Sequence, residues 1–205
     1  MKYFNFFSIV MIPFVMVACS NKPKTQSETE VVQVVVPSDK VVEGTILAEG
    51  TSMNNLILLT ASGDTLSFST VECRDAGLLI GNIQGGAIAQ VAYTEVTDEE
   101  NTIPTAKSVV VISDLVGSWV EPNPIEQHSF QGIKIEENGV ASSININTLT
   151  YTGWSINKGR LVLNSESEGS GDPIECSDTF NIAKINEDSL VLVNPDLTLR
   201  YKKLK

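Results

Sequence analysis

The residues that could do covalent chemistry in this chain are few and scattered. The only histidine, His128, lies next to Ser129, and the three cysteines are Cys19, Cys73 and Cys176. Neighbouring strand residues face opposite sides, so His128 and Ser129 do not form a nucleophile and base pair. No nucleophile-elbow glycines are present, and Cys73 with His128 would need both halves of the chain to form one cleft. The sequence therefore predicts that the protein is not an enzyme.

Metal and phosphate sites also lack a supporting pattern. One histidine cannot build a multi-histidine site, and no cysteine pair has zinc-ligand spacing. Carboxylates flank Gly169-Ser170-Gly171, but they lack the alternating oxygen ligands of a calcium loop, so a solvated acidic hairpin loop is the better interpretation. The stretch from Gly81 to Gly86 lacks the Lys-Ser/Thr ending of a phosphate loop. We therefore expect neither a metal nor a cofactor.

The charge balance excludes one class of partner. The formal net charge is −11, and such a surface repels phosphate backbones, whose binding depends on Lys and Arg. We expect no nucleic-acid binding. The acidity is better explained by solubility and by avoidance of nonspecific contacts.

The residues around Cys19 indicate a defined modification. Lys2 precedes an apolar run from Phe4 to Val17, and small Ala18 stands directly before Cys19. This segment resembles a bacterial lipoprotein signal, which spans residues 1–18 and is cut before a cysteine whose thiol takes a diacylglycerol. An uncleaved membrane helix would need roughly 20 apolar residues, but Ser20-Asn21-Lys22 ends the run. The resemblance implies attachment to a membrane through a lipid on Cys19.

The residues after Cys19 imply a location and a tether. In lipoproteins, a serine such as Ser20 after the acylated cysteine implies sorting to the outer membrane. No acidic cluster follows, which favours the side that faces the periplasm. Residues 19–39 are predicted to be a flexible tether, because no large apolar side chain occurs from Ser20 to Glu30. Val31 to Val36 is either an edge strand or a stiff continuation of this tether.

Residues 40–113 are predicted to form a first β module. Val42 to Leu47 is the first apolar-rich strand, and Leu56 to Leu59 and Thr65 to Ser69 form a hairpin. Ala87 to Val96 and Lys107 to Ile112 give two more strands around an acidic loop, Thr97 to Asn101. Leu78-Leu79-Ile80 is either a helical turn or a buried crossing. Five strands with a short apolar interruption are similar to an OB-type barrel, an architectural resemblance without a diagnostic motif.

Residues 114–205 are predicted to form a second module of about eight short strands. Val140, Ile144 and Ile146 share one alternation phase, while Leu149 and Tyr151 take the other. Gly153 lies at the next shift of phase, where a bulge would keep one face inward.

A family resemblance follows from the start of this second module. Gly117-Ser118-Trp119 is similar to the G-x-W signature of lipocalins, in which the tryptophan packs across the base of an up-and-down barrel. The later segments, such as Thr148 to Tyr151 and Arg160 to Leu163, strengthen the likeness to short lipocalin-like domains in lipoproteins of Bacteroides-type bacteria. The fold class is therefore expected to be all-β, with an OB-like five-stranded barrel followed by a lipocalin-like barrel.

The second barrel leaves two functions open. An eight-stranded barrel holds its own side chains or one small ligand. Periodic aromatics in strands normally serve as core, so five large aromatics either fill the barrel or line a ligand cavity: Trp119, Phe130, Tyr151, Trp154 and Phe180. We expect a non-enzymatic, membrane-anchored lipoprotein that binds a small apolar ligand. The alternative is a structural or inhibitory lipoprotein with a filled barrel that contacts another envelope protein.

The two cysteines that remain after lipidation are expected to be separate thiols. Cys73 and Cys176 lie in different predicted modules, and neither shares its module with a second cysteine. Lone cysteines commonly behave as small hydrophobes. We therefore predict no disulfide, although an oxidising compartment would permit one.

Overall fold

The protein consists of two β-barrels joined by a short helix, as seen in a computed structural model that describes residues 39–98, 101–126, 128–167 and 172–205. The all-β prediction with two barrels is confirmed. The first barrel and the joining helix contain these elements: β1 Lys40–Ile46, β2 Asn55–Thr60, β3 Thr65–Ser69, α1 Val71–Asp75, β4 Leu79–Ile80, β5 Ile88–Asp98, β6 Asn101–Val111 and α2 Ile112–Leu115. The second barrel contains β7 Gly117–Pro122, β8 Phe130–Ile135, β9 Ala141–Ile144, β10 Leu149–Asn157, β11 Arg160–Ser167, β12 Ile174–Ile185, β13 Ser189–Val193 and β14 Thr198–Lys203.

The first barrel closes through a parallel contact between strands that are distant in sequence. The strands follow the order β3-β2-β1-β5-β6, and Ser69 of β3 pairs in parallel with Thr105 of β6. A five-stranded closed barrel with a helix after its third strand is the predicted OB-like arrangement. Its core contains buried Leu56, Leu58 and Phe68, and the Phe68 ring meets Tyr93 edge to face at 4.9 Å between centroids.

Three local features of the first barrel differ from the sequence interpretation or refine it. The expected loop from Thr97 to Asn101 is largely strand, because β5 continues to Asp98 and β6 begins at Asn101, while Glu99-Glu100 lies outside the described residues. The Leu78 to Ile80 segment contains β4, which pairs in parallel with β6. Helix α1 was not predicted, since its five residues are too few to give a helical period.

The second barrel is an eight-stranded sheet. The two strands at the ends of the sheet order, β9 and β10, are not joined by a continuous backbone ladder. The strands follow the order β10-β11-β12-β13-β14-β7-β8-β9, all antiparallel. The predicted bulge in β10 is confirmed, because the register shifts between Tyr151 and Gly153. In β9, however, Ala141 and Ser143 share the buried face and Val140 is exposed, so the expected phase of that strand is wrong.

Side chains close the gap between β9 and β10. The Ser143 hydroxyl donates to the Leu149 carbonyl at 2.7 Å and accepts from the Tyr151 N–H at 2.8 Å. At the other end of the seam, Trp154 donates its backbone N–H to Gly139 and its indole N–H to the Glu136 carbonyl. These bonds satisfy polar groups that an open sheet edge would leave free.

The helix α2 and the loops around it fix one end of the second barrel against the first barrel. The Asp114 carboxylate accepts from the Asn82 N–H at 2.6 Å, and the Ser113 hydroxyl accepts from the Ile88 N–H at 2.9 Å. Ile80 and Val110 of the first barrel belong to the same buried cluster as Trp119. The buried and partly buried residues of both hydrophobic cores all lie between Val42 and Tyr201. Within the described residues, no helix is long and apolar enough to cross a bilayer.

Replacement of Ser143 tests the closing seam. We expect Ser143→Ala to lower the free energy of unfolding by about 1–3 kcal/mol, because one acceptor and one donor in the seam lose their partner. Urea unfolding followed by circular dichroism measures the change. Ser142→Ala is the matched control, since Ser142 lies on the same strand with an exposed side chain. Equal stabilities of the two variants would show that Ser143 does not hold the seam.

Candidate functional site at the mouth of the second barrel

The second barrel has two different ends, which we name by the elements around them. The closed end carries the connections β8–β9, β10–β11 and β12–β13 and adjoins the first barrel, where Lys158 lies 3.8 Å from Asp39. The mouth is the opposite end and carries the connections β7–β8, β9–β10, β11–β12 and β13–β14. A site that can exchange with solvent therefore belongs at the mouth.

Trp119 fills the closed end. Its side chain is fully buried near the start of β7, and its indole N–H donates to the Leu115 carbonyl at 2.7 Å. The Lys203 ammonium lies 4.9 Å from the centre of the ring, a cation–π contact. A Cβ at Gly132 would lie 1.9 Å from the Trp119 carbonyl oxygen, so β8 can approach β7 here only through a glycine.

Two tyrosines form the floor of the mouth. Tyr151 on β10 and Tyr201 on β14 stand on opposite sides of the barrel, are buried, and are side-chain hydrogen-bond partners. Burial raises the pKa of Tyr201 far above its ordinary value, and the charges of Tyr151 and Glu121 raise it further. Burial likewise raises the pKa of Tyr151, against the opposing effect of the hydrogen bond from Tyr201. Both phenols therefore stay protonated and are able to donate hydrogen bonds.

Carboxylates lie beside this tyrosine pair. Glu121 acts electrostatically on both phenols, and Asp178 acts on Tyr151. The Gln131 amide donates to Glu121 at 3.2 Å. Asp178 shares a barrel face with buried Leu163 and Phe180, so it points toward the interior at the mouth. The floor thus presents phenol donors and negative charge together.

Ser165 carries an unused hydroxyl in the same region. Ser165 is 3% exposed. Its hydroxyl oxygen is the one buried side-chain polar atom without a hydrogen-bond partner among the described residues. It shares the inward face of β11 with buried Leu161 and Leu163 and stands directly opposite Tyr151 and Cys176. Buried polar groups are nearly always paired, so this hydroxyl is available to an additional polar group.

An apolar rim surrounds the mouth. We use this name for four large hydrophobic side chains that are at least half exposed and lie at three of the four mouth connections. They are Ile125 (89% exposed), Ile174 (62%), Phe130 (52%) and Leu197 (50%). Single exposed apolar residues are ordinary, whereas several around one opening commonly mark a binding surface.

Four of the five aromatics that the sequence suggested as cavity lining lie together in the structure, and one does not. Trp119, Tyr151, Trp154 and Phe180 are buried and belong to one hydrophobic cluster. Phe130 does not line the interior with them. It shares the outward phase of β8 with exposed Lys134, while Ile133 and Ile135 take the inward phase.

The other chemically notable residues are not brought together. Cys73 is buried in the core of the first barrel, where burial raises the pKa of its thiol, and His128 is exposed in the β7–β8 connection of the second barrel. Cys73 and Cys176 are free thiols. No group of three or more His, Cys, Asp or Glu is arranged to hold a metal in the part of the chain that the structure describes. Cys19, the signal segment and Val31 to Val36 lie outside the described residues, as does Glu168, which precedes Gly169-Ser170-Gly171.

Sequence reasoning missed the polar residues of the floor. Tyr201 fits the alternating pattern of the last strand, but nothing in that pattern indicates that its hydroxyl meets Tyr151. Glu121, Ser165 and Asp178 are ordinary polar strand residues in the sequence. Their inward direction follows only from the register of β7, β11 and β12, which a single sequence does not determine.

Comparison with known proteins agrees with this architecture. A family model described as lipocalin-like matches residues 111–204. Together with a relative of 48% sequence identity that is matched over 97% of its length, it shows that the chain belongs to the lipocalin-like family through its second barrel. Among solved structures, the chain is similar to a lipocalin-like protein from Bacteroides thetaiotaomicron at 48% sequence identity. That match covers 44% of this chain and 97% of the other, with a TM-score of 0.42. A comparison with curated proteins found no match.

Tyr201→Phe tests the buried phenol pair through pH dependence. A phenol whose folded-state pKa is raised stabilises the fold below the unfolded pKa of about 10, and this contribution is lost as pH rises above that value. The unfolding free energy of the parent protein should therefore fall more steeply between about pH 8 and about pH 10.5 than that of Tyr201→Phe. Urea unfolding at both pH values measures the slopes, and parallel slopes would contradict the assigned environment of Tyr201.

Proposed function

We propose that the protein is a non-enzymatic, lipid-anchored lipoprotein of the bacterial outer membrane that faces the periplasm and binds a small molecule at the mouth of its second barrel. The observation that carries the binding proposal is the buried, unpartnered Ser165 hydroxyl beside the Tyr151–Tyr201 pair. A barrel that only filled its own interior would gain nothing from an unsatisfied hydroxyl there, since such a group costs about 1–3 kcal/mol.

The filled lower barrel restricts the size of this ligand. Trp119, Leu161 and Leu163 are fully buried beneath the tyrosine floor. A ligand therefore occupies the upper part of the barrel, with its apolar portion against the rim and a hydrogen-bonding group toward the phenols. This changes the expected ligand from a purely apolar molecule to an amphipathic one.

A second candidate function is protein binding by the same end of the molecule. The apolar rim favours it, because exposed Ile125 and Phe130 offer contact surface without requiring an internal cavity. The protein would then act as a structural or inhibitory partner of another envelope protein. Recovery of one stoichiometric protein partner, together with no bound small molecule in native mass spectrometry, would support this function over the first.

The lipid anchor is tested by the mass of the mature N-terminus. In its own host, we expect the protein to begin at Cys19 and to carry the added mass of a diacylglycerol. Cys19→Ala should retain residues 1–18, because cleavage depends on the lipidated cysteine. Cys176→Ala is the control and should be processed normally. A mature form without lipid mass, or an unchanged N-terminus in Cys19→Ala, would refute the anchor.

The position of the ligand is tested by substitutions at the rim. A chain that starts at Ser20 retains both hydrophobic cores and avoids the lipid. We expect this fragment to bind dodecanol, and Ile125→Ser to weaken binding about threefold to tenfold, as for loss of one apolar contact of roughly 1 kcal/mol. Val140→Ser, an exposed apolar position at the closed end, is the matched control. Equal losses in both variants would place binding elsewhere.

A further inference from the structure

The charged side chains in the described part of the mouth are acidic. Seven carboxylates lie in its loops or in the halves of the adjoining strands nearest the mouth: Glu121, Glu126, Glu166, Asp172, Glu175, Asp178 and Asp196. No Lys or Arg occurs in the described parts of the mouth connections. Arg200 is the nearest base along β14, but its exposed side chain takes the outer face, opposite to Leu199 and Tyr201.

The bases of the second barrel lie mainly toward the other end. Lys158 lies in the β10–β11 turn and Arg160 follows it, while Lys202 and Lys203 end β14 and Lys205 comes after it. There they find partners, such as Asp39 for Lys158 and Asp188 for Lys205. None of the seven mouth carboxylates forms an ion pair with a described Lys or Arg. The negative charge at the mouth is therefore not neutralised within the described residues.

Two of these carboxylates face the ligand position itself. Glu121 and Asp178 act on the phenols of the floor, and the neutral Gln131 amide donates to Glu121. The buried Ser165 hydroxyl, which has no partner, points into the same interior. The floor thus combines negative charge with an unused polar group, independently of the apolar rim.

We infer that the mouth binds amphiphiles through a cationic head group, such as an ammonium, and discriminates against fatty acid anions. This inference rests on the proposed small-molecule function of the same site. An ammonium supplies positive charge opposite Glu121 and Asp178, and it donates hydrogen bonds that their carboxylates and the Ser165 hydroxyl can accept. Its alkyl chain covers the apolar rim. A carboxylate head would meet like charge, which disfavours binding in a partly desolvated site.

Three probes with the same number of carbons test this inference. Dodecylammonium, dodecanol and dodecanoate are titrated into the fragment from Ser20 by calorimetry at neutral pH, below the critical micelle concentrations of the two ions and below the solubility limit of dodecanol. We expect dodecylammonium to bind at least about tenfold more tightly than dodecanoate, with dodecanol between them. Added salt should reduce the difference, because it screens charges at an exposed opening.

Charge-neutral variants separate the head-group effect from general acidity. In Glu121→Gln with Asp178→Asn, the preference for dodecylammonium over dodecanoate should fall to less than about threefold. Glu187→Gln at the closed end, where the side chain is exposed, is the control and should keep the full preference. Urea unfolding confirms that each variant is folded.

The outcomes distinguish the two levels of the proposal. Dodecanoate binding as tight as that of dodecylammonium would overturn the head-group inference and leave the small-molecule function intact. A preference that persists in the double variant would overturn the roles of Glu121 and Asp178. If none of the three probes binds, including neutral dodecanol, both the inference and the proposed small-molecule function are refuted.

Discussion

The burial of Trp119 is the constraint on which the arrangement of the molecule depends. Its indole N–H bonds the carbonyl of Leu115, the last residue of the helix that joins the barrels, and Lys203 from the last strand covers its ring. One side chain thereby links the first barrel, the connecting helix and both termini of the second barrel. Because that end is filled and packed against the first barrel, exchange with solvent is left to the mouth.

The polar residues of the second barrel have different roles at the β9–β10 seam and near the mouth. Ser143 and Trp154 satisfy the β9–β10 seam, where a closed sheet would otherwise need a backbone ladder. Near the mouth, the Ser165 hydroxyl has no such structural partner. Since unsatisfied buried groups lower stability, the contrast between Ser143 and Ser165 separates a polar group that the fold requires from one that the fold leaves available.

More of the fold than of the candidate site could be predicted from the sequence. The second barrel could be predicted from the G-x-W tripeptide at its start. The bulge at Gly153 could also be predicted, because a strand that buries one face must shift phase where a residue is inserted. The inward direction of Ser143 could not be predicted, since flanking Val140 and Ile144 are more apolar and suggested the other phase. The position of Phe130 could not be predicted for the same reason. Its hydrophobicity indicated burial, but the register of β8 places it at the rim. The floor required the pairing of strands that are distant in sequence.

In the function proposed above, the molecule meets its ligand at the mouth, above the tyrosine floor. A crystal structure of the protein purified from its own host tests this most directly. We expect density for an amphipathic molecule above Tyr151 and Tyr201, with its polar group toward Glu121 and its apolar portion against the rim. Density for such a molecule in the groove between the barrels, beside Asn82 and Asp188, with only water at the mouth, would contradict it.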